Sequence, residues 1–138
     1  MFKKISVCLT CALLVFCTCF VNRVPVFKDY ASELEVYLNS RDSTADFVTV
    51  PVTNFVFLNN IYGESFKTNK EEFDLQNFLE DFSATLINTE QTSYGVSYYA
   101  FSKKIKYRTT LFNRPINLHV FISSDTVTVG SPLISGSF

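Results

Sequence analysis

Ile116-Asn117-Leu118-His119-Val120-Phe121-Ile122 alternates without a break. Ile116, Leu118, Val120 and Ile122 fall on one side of an extended chain, and Asn117, His119 and Phe121 fall on the other. A period of two is the signature of a strand with one face on a core. Turn chemistry brackets the run, with Asn113-Arg114-Pro115 before it and Ser124-Asp125 after it. Strands are expected on both sides, at Ala84–Thr89, Val96–Ser102, Lys106–Phe112 and Asp125–Val129, with Ser93-Tyr94-Gly95 turning between the first two. Successive strands joined by short turns predict an antiparallel meander.

Further upstream the period changes. Leu75, Phe78, Leu79 and Phe82 recur at i, i+3, i+4 and i+7, which gathers them on one face of a helix. Gln76, Asn77, Glu80 and Asp81 take the opposite face, and Asp74 stands where an N-cap carboxylate can accept a free first-turn amide. Before this helix, Glu33–Leu38 alternates as a strand, with a helix as the second reading. Phe47–Val50, Phe55–Leu58 and Glu64–Thr68 also read as strands, and Pro51 points to an edge or a bulge. The fold class expected is α+β: an antiparallel meander with one main amphipathic helix on one face, preceded by an N-terminal signal or anchor helix.

That N-terminal segment is a separate matter. Lys3 and Lys4 precede Ile5–Val21, a stretch with no charged side chain. Two lysines before an apolar run form a signal-peptide pattern, although the run approaches the roughly 20 residues a membrane span needs. The division expected is 1–21 as signal peptide or membrane anchor, 22–32 as a stem, and 33–138 as a single domain. The protein is then secreted, or tethered to the outer face of the cytoplasmic membrane through residues 5–21. All four cysteines, Cys8, Cys11, Cys17 and Cys19, lie in this segment. Cys8-x-x-Cys11 has redox or zinc half-site spacing, but within an apolar run it reads as part of the segment itself. The remaining chain carries 10 basic and 13 acidic residues, which argues against nucleic acid as a partner.

Few residues suggest chemistry. His119 is the single histidine; it is the one candidate general base, yet no local motif supplies a nucleophile and an orienting acid. Glu64 and Glu90 could be imagined as a glycosidase pair, against the plainer reading of surface charges. No spacing organises a metal site, and no cofactor is expected. Lys103, Lys104, Lys106 and Arg108 form one basic run near Tyr98, Tyr99, Phe101 and Tyr107. Alternation places Lys104, Lys106 and Arg108 on one side as candidate anion-binding residues, while lysines on a strand edge also block aggregation. Val129–Phe138 is apolar and is expected to fold back onto the sheet, with Gly130 and Gly136 permitting tight turns.

Val96–Ser102 (VSYYAFS), Ile116–Ile122 (INLHVFI) and Thr128–Phe138 (TVGSPLISGSF), with Gly63–Ser65 (GES) upstream, resemble a family of small, exported, functionally uncharacterised proteins of Gram-positive bacteria. Some of its members are similar to proteins labelled TATA-box-binding-protein-like, for a helix laid on a curved sheet. The resemblance covers mainly the second half of the chain. It implies that fold without implying DNA binding, since the chain lacks the duplicated halves a saddle needs, and it carries no catalytic residues onto this sequence. The function expected is therefore a non-enzymatic binding module of the cell envelope, its partner an envelope protein or an anionic wall polymer. The alternative is a small extracytoplasmic hydrolase using His119.

Overall fold

A computed structural model of the chain describes residues 8–15, 24–38, 47–58 and 60–134. Strands β1 (Glu33–Tyr37), β2 (Phe47–Pro51), β3 (Gly63–Asn69), β4 (Thr85–Thr92), β5 (Gly95–Phe101), β8 (Leu118–Ile122) and β9 (Thr126–Ser131) build one antiparallel sheet. Their order is β2-β1-β3-β9-β8-β5-β4. A small hairpin, β6 (Thr109–Leu111) with β7 (Arg114–Ile116), stands apart from it. The α+β class is as the sequence indicates.

The order is not that of a simple meander. β9, late in the chain, lies in the middle between β3 and β8. Its composition explains this. TVTVGS has no charge, and Val127 and Val129 are fully buried, so it suits a central position better than an edge.

The helix, α2 (Leu75–Asp81; residues 8–15 form α1), carries the chain from β3 to the far edge at β4. Asp74 caps it as expected: Oδ1 accepts the amides of Gln76 at 2.9 Å and Asn77 at 3.1 Å. It ends with Ser83 in the left-handed region (φ 48°), where Ser83 N–H bonds Glu80 O and Ala84 N–H bonds Leu79 O, both at 2.8 Å. This pair of bonds is a Schellman stop, and a serine stands where glycine is usual.

Phe78 is the buried residue of α2, and Leu75, Leu79 and Phe82 pack partly buried beside it. They meet Leu34, Val36, Phe66, Val120, Val127 and Val129 on the sheet. Phe27 joins them, with its ring 5.1 Å from that of Phe66 and 6.0 Å from that of Phe82. Residues 24–32, expected as a stem outside the domain, thus contribute a fully buried phenylalanine to its core. An aromatic ring of this size removes about 150–250 Å² from water, enough to hold the arm down.

Two strand expectations are corrected. Val52–Phe57 is a 3₁₀ helix that buries Phe55, so Phe55–Leu58 is not a strand. The expected strand at Lys106–Phe112 shortens to β6, because residues 105–108 run irregularly, with Ile105 and Tyr107 turned into the core. Phe112 and Asn113 then turn the hairpin with positive φ (52° and 55°), the conformation a type I′ turn requires at both central positions.

At the N-terminus, residues 8–15 are helical with Leu9, Leu13, Leu14 and Val15 exposed. The rest of the expected 1–21 segment, and residues 22 and 23 of the stem, lie outside the described residues. Among the described residues no helix is long and apolar enough to cross a membrane.

Candidate functional site

Strand register assigns side chains to the two faces. Val36 pairs with Glu64, Phe66 with Val129, and Val120 with Tyr98, all on the side that α2 covers. Glu35, Ser65, Gly130, His119 and Tyr99 form a row on the opposite side.

His119 lies on this second face and is fully buried. Its ring stacks on Tyr99, centroids 4.5 Å apart at 21°, and the Phe112 ring meets Tyr99 edge-on at 5.2 Å. The segment after β9 closes over it. Gly130 permits the approach, since a Cβ there would stand 2.7 Å from Leu133 O. Ser131 Oγ donates to Asn117 O at 2.8 Å, and Ile134 is buried. The expected fold-back is thus observed as far as Ile134; residues 135–138 lie outside the described residues.

The polar contacts of His119 fix its proton. Ile134 N–H donates to Nδ1 at 3.3 Å, so Nδ1 must be bare and the neutral ring carries hydrogen on Nε2. Nε2–H then donates to Ser97 Oγ at 3.2 Å. On the same face the Tyr99 hydroxyl donates to Glu90 Oε2 at 3.0 Å. The nitrogen that faces the Ser97 hydroxyl therefore carries the proton. A general base needs the reverse, a bare nitrogen facing the hydroxyl. Burial also lowers the His119 pKa from 6.5 to about 4, because a charged ring loses its hydration. Tyr99 is shifted up, first by burial and then by its bond to Glu90.

Glu64 and Glu90 do not form a pair. Glu64 is fully buried on the α2 side, whereas Glu90 is exposed and pairs across from Ser97 on the other side. The surface-charge reading holds for Glu90 and fails for Glu64. Glu64 Oε1 accepts Phe27 N–H at 2.9 Å, tying the 24–32 arm to β3, and Oε2 has no hydrogen-bond partner. Burial raises its pKa from 4.5 to about 7, opposed by the amides of Phe27 and Val26 and by the charge of Lys106. Tyr107, buried and close to this carboxyl, is raised as well.

The basic run keeps its alternation without being a strand. Ile105 and Tyr107 are 3 % and 9 % exposed, and Lys104, Lys106 and Arg108 point outward between and beyond them. Lys104 Nζ donates to Asp81 O at 2.8 Å, and Lys106 Nζ stands 5.6 Å from the Tyr107 ring centroid. The three cations form an outward row fixed by two buried neighbours.

A fourth cluster is not apparent from the sequence patterns above. Ser65 Oγ lies 2.6 Å from Tyr37 Oη and donates to Glu35 Oε2 at 3.1 Å, while Lys67 Nζ bonds Glu35 Oε1 at 3.3 Å. Its signal lies in β3: Phe66 inward puts Ser65 and Lys67 on one side and Glu64 on the other, in the core. Among the described residues no group of three His, Cys, Asp or Glu could hold a metal ion, and Cys8 and Cys11 are free and exposed. No family model, no curated protein and no solved structure matches this chain.

Proposed function

We propose that this domain acts outside the cytoplasm by binding rather than by catalysis, and that its contact surface for phosphate-bearing anions of the envelope is the row Lys104, Lys106 and Arg108. The observation that carries the reading is the alternation at 104–108. Ile105 and Tyr107 are anchored in the core, so the cations that alternate with them are exposed along an irregular segment. A local positive row on a domain of net negative charge concentrates anions near itself without attracting them to the whole surface. The extracytoplasmic placement rests on Lys3, Lys4 and the uncharged run Ile5–Val21.

The hydrolase reading retains one supporting contact, that of His119 with Ser97. It requires the opposite tautomer and displacement of the segment ending at Ile134, so binding is the better supported reading.

The test is co-sedimentation of the full chain with phosphatidylglycerol vesicles, with purified anionic wall polymer and with neutral vesicles, across a salt series. Binding to one or both anionic targets should weaken as salt rises, since exposed charges reach only about 8 Å at physiological ionic strength. It should fall several-fold in K106Q/R108Q, while the neutral vesicles report what residues 5–21 add. Salt-insensitive binding, or equal binding by the variant, would overturn the assignment of the row.

A further inference from the structure

The sheet ends differently on its two sides. β2 has five residues and terminates at Pro51, which has no N–H to offer a neighbour. β4 has eight, Thr85–Thr92, and is mostly exposed. It contains no Lys, Arg or Pro, and Glu90 is its one charge. Beyond a bulge between Leu86 and Asn88 it pairs regularly with β5 to its end. Among the described residues no strand covers its outer side.

We propose that β4 is a self-docking edge, on which a second copy of this chain pairs antiparallel about a two-fold axis at Thr89, making one sheet of the two. Charge excludes one register, and a side-chain hydrogen bond favours another. Residues directly opposite in an antiparallel pair share a face, so a two-fold axis normal to the sheet must pass through a residue. An axis at Glu90 would set two carboxylates against each other, a destabilising arrangement. An axis at Thr89 sets Thr89 against Thr89 and each Glu90 against the partner's Asn88, whose amide can donate to the carboxylate. Asn88 and Glu90 already share a face, opposite Tyr99 and Ser97.

The same register brings the β4–β5 turn of one copy beside residues 84 and 85 of the other. That turn presents Tyr94, which is 82 % exposed. Beside Ala84 opens an apolar groove of about 580 Å³ lined by Leu75, Leu79 and Ser83 among others. An exposed aromatic and an unfilled apolar groove thus meet twice across the axis. Backbone pairing supplies the attachment and the pockets supply the selectivity, as in other strand-addition interfaces.

The experiment is sedimentation equilibrium of the full chain with T89K, Y94A and T89C. The wild type should reach twice the chain mass as concentration rises. T89K, which places like charges on the axis, should remain at the single-chain mass with an unchanged circular dichroism spectrum. Y94A should dimerise several-fold more weakly. Oxidised T89C should form a disulfide between the two copies at position 89, located by peptide mass, since opposed residues lie about 4.5–5.5 Å apart at Cα, within disulfide reach. A wild type that stays at the single-chain mass throughout would overturn the proposal. So would a dimer that survives T89K and gives no cross-link at position 89, which would assign the contact to another surface such as β2.

Discussion

Glu64 on one face of the sheet and His119 on the other are both fully buried, and they are accommodated by opposite means. On the helix-facing side, Glu64 is fully buried with one oxygen bonded to the Phe27 amide and the other without a hydrogen-bond partner. On the far face, His119 has both ring nitrogens engaged, within a network of Ser97, Tyr99, Glu90 and the closing segment. The first is an acid in an oily site, raised to about 7; the second is a base in a sealed site, lowered to about 4. Both therefore favour the neutral form. A buried ionisable group is not by itself a sign of chemistry: what each one bonds decides what it can do.

The largest effect expected is on the apolar face. Phe27→Ala keeps the backbone bond to Glu64 and removes a fully buried ring, so it should cost about 3–5 kcal/mol in denaturant unfolding. A loss below about 1 kcal/mol would mean that the 24–32 arm is not part of the core.

Next comes pH, where the faces work against each other. Glu64 has a raised folded pKa, so its stabilising effect is full below 4.5 and is lost as pH climbs through about 7. His119 has a lowered folded pKa, so its contribution is full above 6.5 and is lost as pH falls towards about 4. Each is worth about 3 kcal/mol at one pKa unit per 1.36 kcal/mol. Between pH 4.5 and 6.5 they nearly cancel, and the wild-type profile should be close to flat from these two groups. In H119Q stability should fall with rising pH across that window, and in E64Q it should rise. Parallel profiles for all three proteins would break the comparison.

The helix-facing side is legible in the sequence. Alternation in Ile116–Ile122 and the i, i+3, i+4, i+7 pattern of Leu75–Phe82 report burial against a single apolar layer, a local property of the chain. Asp74 is readable for the same reason, since a cap bonds amides two and three residues on. The strand order is not, because β9 is drawn to the centre by partners in β3, on the other side of the helix in the chain. The second face is hidden too. Alternation puts Asn117 and His119 on the face away from the apolar row and leaves open whether they meet solvent or a satisfied core; the segment through Ile134 closes on His119, and a lid of this kind leaves no periodicity. For the basic row the spacing is visible, while the irregular backbone that holds it is not. Glu64 is misleading by composition alone: the phase set by Phe66 already places it inward.

The most direct test of a binding rather than a catalytic domain is the protonation state of His119, followed by nitrogen NMR of the labelled imidazole from pH 4 to 8. The account predicts the Nε2–H tautomer, with no titration until the pH approaches about 4. An Nδ1–H tautomer, or a titration near the ordinary value of 6.5, would contradict it and return His119 to the list of candidate bases.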